Sequence, residues 1–517
     1  MAKSSNWQIK FGAIISYLAI AFNVISGLIY TPWMLKQIGD SNYGLYTLAT
    51  SIISVFTIDF GMSSAVARFV SKYRAEERQE KINSFLGLVY KLYIIIDIVL
   101  MIVLTCVFFS IEHFATGLTS AEMPHFKVVF VIAAIYSVIS FPFVTLNGIL
   151  ASYEKFVQMK LCDMFNKIIT IIITVVALYN GMGLYALVII NVSCNLISIV
   201  MKLYFVKCST PVKVRGGKAS GINLGEIFGF SLWTTVVSFS KRFIQNIMPS
   251  IISMVSNTAE IAIYGIGSVI ESYAYLMVSA ITGMFMPKIS RIVVAEDKED
   301  KLNKLMCKIG RYQYFVMGLI FVGFAIVGKQ FIVLCYTEHK SEAYYVALFM
   351  IFPQLFYAPQ QIAQTTVTVE NKVKLQAFVH VFVAIINVII AYPLTKLWGA
   401  VGATFSICIV YFIRMVIMNV IYHKTLHINM LNFYNECYFK MAPPIIITLI
   451  MGFFMNQLIF KEQYFNSAKL YVRWGMLVSE GLVVVCMYLG LMWLLALNGY
   501  EKGTVKSVFE KIFMKKK

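Results

Sequence analysis

Long apolar runs separated by short polar breaks fill the chain. A helix crosses the hydrocarbon core of a bilayer with about 20 mostly apolar residues. Runs of that length fall at about 11–35, 44–68, 85–110, 128–150, 161–179, 184–206, 227–255, 261–287, 312–336, 343–369, 375–395, 400–421, 442–460 and 470–496. The pattern predicts an all-α polytopic membrane protein with about fourteen transmembrane helices. The expected divisions are an N-terminal six-helix lobe at 1–206, a cytoplasmic linker at 207–226 and a second six-helix lobe at 227–422. Two accessory helices follow at 423–496, then a basic tail at 497–517.

Several spans carry a polar stripe. The richest is Ile227 to about Val255, where Lys241 and Arg242 stand side by side near the middle. A cation at the bilayer centre costs roughly 2.5–3.5 kcal/mol even on the lenient insertion scale. At about 100° per residue, Ser231, Thr234, Thr235, Ser238, Lys241, Arg242, Gln245 and Asn246 share one side of the helix. Leu232, Trp233, Val236, Phe243, Ile244 and Ile247 occupy the other. Ser240 lies off the stripe and can bond its own helix backbone. This helix reads as the wall of a water-filled cavity whose ligand is anionic. A polar contact buried in a helix bundle is the competing reading.

Other stripes are uncharged or carry one charge. The first span has Ser16, Asn23, Ser26 and Tyr30, and the second has Thr47, Thr50, Ser51, Ser54 and, at its cytoplasmic mouth, Arg68. The eighth carries Tyr264, Ser268, Glu271, Tyr275, Ser279 and Thr282. Glu271 is a counter-charge for Lys241 or Arg242, a proton site, or half of a structural ion pair. The tenth span, interrupted by Pro353 and Pro359, shows Gln354, Tyr357, Gln361, Gln364, Thr365 and Thr368 on one face. Amides and hydroxyls suit sugar hydroxyls, which both donate and accept, and equally suit interhelical hydrogen bonds. Asp59 lies off its stripe beside Gly61, as a coupling group or a structural acceptor. Asp163 and Lys167, four residues apart, can pair on one helix. Arg414 and Glu480 join no stripe and receive no role.

Composition agrees with a membrane protein: 59% hydrophobic, 13% charged, mean hydropathy +0.76. The net charge of +19 would suggest nucleic acid in a soluble protein. Here most of the Lys and Arg fall between alternate spans, which places both termini in the cytoplasm. The excess also favours anionic inner-leaflet lipid, and Lys515–Lys517 reads as an anchor. The short polar start and long first span argue against a cleavable signal peptide. The nine cysteines form neither a disulfide framework nor a zinc pattern. The expected outer loops are too short for a catalytic domain. No nucleophile–base constellation or nucleotide motif stands out, and no cofactor is expected.

The two halves echo one another. Tyr43-Gly44 recurs as Tyr264-Gly265, Glu154-Lys155 as Glu370-Asn371-Lys372, and Gly183 as Gly399. Parallel repeats occur in transporters that rock two lobes about a central site. The stretch Tyr43-Gly44-Leu45-Tyr46, then Asp59-Phe60-Gly61-Met62-Ser63-Ser64-Ala65 and Arg68, resembles the N-terminal pattern of polysaccharide transporters. These are the Wzx-type flippases of the multidrug/oligosaccharidyl-lipid/polysaccharide exporter superfamily. The resemblance implies two lobes around a central cavity, with the first and seventh spans as pseudo-equivalent cavity helices and Asn23 near the place of Lys241 and Arg242. It also implies a groove for a lipid tail at the last two spans.

The expected function is alternating-access flipping of a polyprenyl-pyrophosphate-linked oligosaccharide in a bacterial cytoplasmic membrane. Lys241, Arg242 and Arg68 would bind the anion. Asn23, Ser238, Gln245, Asn246, Tyr275, Gln361 and Gln364 would line the cavity, and Glu271 or Asp59 would couple transport or balance charge. The implied partners are the lipid-linked oligosaccharide, membrane lipid and other polysaccharide-assembly proteins. A multidrug cation antiporter of the same superfamily remains open, as does a membrane polymerase or glycosyltransferase.

Overall fold

The computed structural model describes residues 2–56, 62–212, 224–283, 296–336, 338–370, 372–458 and 469–503, with isolated positions between 284 and 295 and Phe465. In order, the first helices are α1 (Ala2–Ile38), α2 (Asp40–Phe56), α3 (Met62–Ala75), α4 (Gln79–Phe114), α5 (Glu122–Ser140) and α6 (Thr145–Ser152). Then come α7 (Phe156–Tyr179), α8 (Leu184–Ser209), α9 (Leu224–Asn246), α10 (Met248–Val255) and α11 (Thr258–Gly283). The rest are α12 (Lys298–Cys335), α13 (Glu342–Tyr357), α14 (Gln361–Val369), α15 (Val373–Leu426), α16 (Met430–Phe433), α17 (Ala442–Leu458) and α18 (Leu470–Leu491). No strand occurs among the described residues. Asp59, most of the linker and the tail from residue 504 lie outside them.

Ten described helical stretches are long and apolar enough to cross a membrane. The longest, α15, bends at Trp398 and Gly399 and so carries both the eleventh and twelfth expected spans. Three expected spans fall outside the ten. The second lies on α2 and α3, the seventh on α9 and α10, and the tenth on α13 and α14 with a tight turn between them. All three carry polar stripes, and the last two also carry prolines. Polar residues lower hydropathy, and proline removes a backbone donor and clashes with the carbonyl four residues back. The helices are thus compatible with fourteen crossings.

The described chain divides into two compact units, residues 1–266 with 373–410, and residues 267–372 with 411–517. In the first unit, polar bonds gather the ends of several helices around Glu122 at the start of α5. Its carboxylate accepts from Ser41, from Thr258 at 2.7 Å and from the Thr119 amide at 2.9 Å. Nearby, the Gly117 amide donates to the Ser253 carbonyl at 2.6 Å. The two Tyr-Gly pairs of the repeat meet here as well. A side chain at Gly44 would collide with the Thr258 carbonyl, and one at Gly265 with Thr47 and Tyr43. The repeated glycines therefore permit a close helix crossing.

The bend in α15 has a local cause. Gly399 takes a positive φ of +55°, which a residue without Cβ adopts without penalty. The Glu260 carboxylate packs against it and accepts from the Ala400 amide at 2.7 Å. A carboxylate there satisfies an orphan donor at the start of the following helical segment.

In the second unit, α12 packs against α13, α17 and α18. Its Arg311 is buried and bidentate with Glu501, at 2.6 and 2.7 Å. The same guanidinium donates to the carbonyls of Glu436 and Ala496 at 2.6 and 2.7 Å. Every nitrogen of the buried cation is thereby used, the condition under which such a pair is tolerated. One pairing expected from sequence differs. Asp163 forms its ion pair with Lys202 of the neighbouring α8 at 2.7 Å, not with Lys167 one turn along its own helix. A facing helix brought this ammonium to the carboxylate.

Candidate functional site

The seventh span is built by a break. Pro249 cannot donate to the Gln245 carbonyl, so α9 stops at Asn246 and α10 restarts after Ile247. The orphaned Gln245 carbonyl instead accepts from the Tyr264 hydroxyl at 2.7 Å. Next to it, the Asn387 amide donates to the Ile244 carbonyl at 3.2 Å. The break is thus supported by polar groups from α11 and α15.

The two sides of α9 then differ in surroundings. Ile244 is fully buried. Trp233 and Val236 pack against a small core of Val237, Val373 and Ala377. Farther along, Val236, Phe239 and Phe243 border an apolar groove of about 580 Å³ with Val381, Ala384, Ile385, Val388 and Ile389 of α15. Thr235 turns toward this groove, and Ser240 satisfies itself on the Val236 carbonyl at 2.8 Å. On the polar side Ser238 and Arg242 are exposed, while Lys241, Gln245 and Asn246 are half-buried. The Asn246 amide donates to the Arg242 carbonyl at 2.9 Å. The cation pair therefore lies on an accessible face of a helix whose other face is apolar, in part packed and in part bordering the groove. Asn23 is half-buried on α1 and donates to the Ala19 carbonyl of its own helix at 2.9 Å. The Arg68 side chain and all of Asp59 lie outside the described residues.

The remaining expected site residues belong to the second unit. Glu271 is buried and accepts from the Gln354 amide of α13. Tyr275 is exposed and within electrostatic reach of Glu271 and Arg414. Gln361 is buried and accepts from Gln313 at 3.4 Å, while Gln364 accepts from Arg414 at 3.4 Å. These contacts bring Glu271, Tyr275 and Gln364 into one polar cluster.

Arg414 and Tyr411 are the members to which sequence reasoning gave no role. The Arg414 guanidinium is buried, 5.2 Å from the centre of the Tyr357 ring and 5.9 Å from that of Tyr411. Its Nε has no hydrogen-bond partner. A guanidinium on aromatic faces gains cation–π attraction where it is poorly hydrated. The available signal was an arginine in mid-span, three residues after a tyrosine on the same helix face. An intramembrane cation is a functional candidate by default, stripe or no stripe. The cluster holds one cation, one carboxyl, three tyrosines and two amides, all suited to a polar or charged ligand.

The fold is shared with solved membrane transporters. The lipid II flippase MurJ, in an inward closed conformation, superposes with a TM-score of 0.66 at 15% identity, covering 93% of this chain and 99% of that one. An inward-facing multidrug resistance transporter of the MATE family, within the MOP superfamily, gives 0.62 at 13% identity over 80% of this chain and 99% of that one. The Vibrio cholerae MATE transporter VcmN, in its bent form, gives 0.57 at 12% identity over 82% and 98%. No curated protein matches the chain. The profile of the family described as polysaccharide biosynthesis protein matches residues 37–345, more than half of the sequence. With that match and this fold, the resemblance to polysaccharide transporters of the exporter superfamily holds: the chain is a multi-pass membrane protein of the polysaccharide biosynthesis protein family.

Proposed function

We propose that the protein is a secondary transporter that flips a polyprenyl-pyrophosphate-linked oligosaccharide from the inner to the outer leaflet of a bacterial cytoplasmic membrane. The observation that carries this reading is the accessible Lys241–Arg242 pair on the polar face of the seventh span. A pyrophosphate would take charge-assisted hydrogen bonds from both. Arg68 would add a further cation, and Arg414 would balance the charge of Glu271 within its own cluster. Asn23, Ser238, Gln245, Asn246, Tyr275, Gln361 and Gln364 would meet the glycan through amides and hydroxyls. The lipid tail would stay in the apolar phase. Lobes at 1–206 and 227–422 would rock about the site with both termini in the cytoplasm, and Glu271 or Asp59 would couple the motion to an ion. The family membership supports a role in polysaccharide assembly, such as O-antigen or capsule. The fold supports transport without covalent chemistry.

The test is translocation of a short polyprenyl-pyrophosphate oligosaccharide in proteoliposomes. Lys241→Ala and Arg242→Ala should each reduce the rate about tenfold to a hundredfold, and the double variant more, since a hydrogen bond to a charged group contributes roughly 1.5–3 kcal/mol. Equal rates at equal protein levels would remove the site. A second reading, cation efflux, is favoured by the buried Glu271 among tyrosines, which suits a cationic ligand. Transport of a cationic dye that is lost in Glu271→Gln, with no lipid flipping by the parent, would establish it instead.

A further inference from the structure

The last two long helices hold a buried polar site that lies outside the ligand cluster. Glu480, in the middle of α18, is fully buried where α12, α17 and α18 pack together. The amide side chains of Gln330 on α12 and Asn456 on α17 face it. Their orientations follow from the backbone. The Ile326 carbonyl can only accept, so the Asn456 amide nitrogen donates to it at 2.9 Å. That turns the Asn456 Oδ1 toward Gln330, whose amide nitrogen donates to it at 2.9 Å. Each amide nitrogen keeps a second hydrogen, turned toward the Glu480 carboxylate, but neither closes to ordinary hydrogen-bond geometry. Gln330 Oε1 and both oxygens of Glu480 have no well-formed hydrogen bond, and Glu480 has no ion-pair partner among the described residues.

Three buried acceptors without a well-formed hydrogen bond are costly in a membrane interior, and an ionised carboxylate without a counter-charge is costlier still. A proton on Glu480 would supply one donor for three oxygens. A small hard cation takes several oxygen ligands at once, and carboxylate with carbonyl oxygen is the donor set such ions prefer. A single carboxylate balances a single positive charge. We propose that Glu480, Gln330 and Asn456 bind a monovalent alkali cation, of the size of sodium, and that this ion fastens α17 and α18 to α12. The site rests on these residues alone and does not depend on which substrate the protein carries.

The experiment uses the purified full-length protein in detergent at mildly alkaline pH. Thermal unfolding is followed in sodium chloride and in choline chloride, alongside binding of radioactive sodium ion. A ligand that binds only the folded state raises the melting temperature by mass action. The wild type should melt higher in sodium than in choline and retain the isotope. In Glu480→Gln the sodium-dependent shift and isotope retention should both vanish. Gln330→Met, which keeps the carboxylate and the side-chain volume, should weaken sodium binding about tenfold and serves if Glu480→Gln does not fold. A wild type that responds to acid but not to sodium would overturn the inference and leave a proton site. A sodium response undiminished in either variant would place the ion elsewhere.

Discussion

At Gln245 one missing hydrogen decides the course of a helix. Pro249 leaves that carbonyl without its partner, and the Tyr264 hydroxyl replaces it at 2.7 Å. Tyr264→Phe keeps the ring and removes only the donor. The cost of orphaning a buried acceptor is about 1–3 kcal/mol, so the variant should melt several degrees lower in detergent. An unchanged melting temperature would mean that water or another donor serves the carbonyl.

Glu370, between α14 and α15, shows the opposite balance from Glu480. Burial pushes its carboxyl up, but hydrogen bonds and charge from Lys298 and Lys372 more than reverse this and hold it below the ordinary carboxylate range. The Lys372 ammonium lies 2.7 Å away. A carboxyl depressed by folding stabilises the protein above its unfolded value and loses that contribution as pH falls through the folded value. Stability should therefore drop in acid at this site, and Glu370→Gln should flatten that part of a melting-temperature profile between neutral pH and about pH 3. An identical acid limb in the variant would assign the loss to other carboxyls.

Among elements, the strongest polar fastening in the second unit is Arg311 on Glu501. It ties the segment after the last long helix to α12, with the Glu436 and Ala496 carbonyls completing the shell. Removing one partner of a buried pair costs about 3–5 kcal/mol because the other is left uncompensated. Glu501→Ala should thus unfold far more readily, and the Arg311→Met/Glu501→Leu double replacement should recover much of the loss. A double variant as unstable as the single one would mean that the carbonyl contacts, not the charge pair, carry the fastening. The three expected spans that fall outside the ten apolar stretches show a related trade. Their polar residues and breaks lower apolar character, and they supply most of the cavity-lining candidates.

For the whole molecule, the charge bias between alternate loops predicts that both termini face the cytoplasm. Single cysteines at Ser209 and at Asn180, in an otherwise cysteine-free protein, should react oppositely with a membrane-impermeant maleimide. Asn180 should label in intact cells and Ser209 only after lysis. The reverse pattern would invert the topology, and labelling of both in intact cells would change the number of crossings between them.

Helix positions were legible in the chain because a bilayer imposes one rule on every span. The stretch must be apolar and about 20 residues long, so period and hydropathy suffice. The two-sided character of α9 and the self-satisfied Ser240 followed from the same local rules. Pairings did not. Asp163 chose Lys202 on a facing helix over Lys167 on its own. Arg414 became a cluster member only when Tyr357 and Gln364, distant in sequence, folded onto it. Glu480 lacked any stripe on its own helix, and its amide neighbours come from two other helices. The order of residues was enough for the spans, their polar faces and the family resemblance, since these depend on residues adjacent along one helix. Which buried charges are paired, stacked or left without a well-formed hydrogen bond was fixed only on folding, because that depends on what a neighbouring helix presents across the contact.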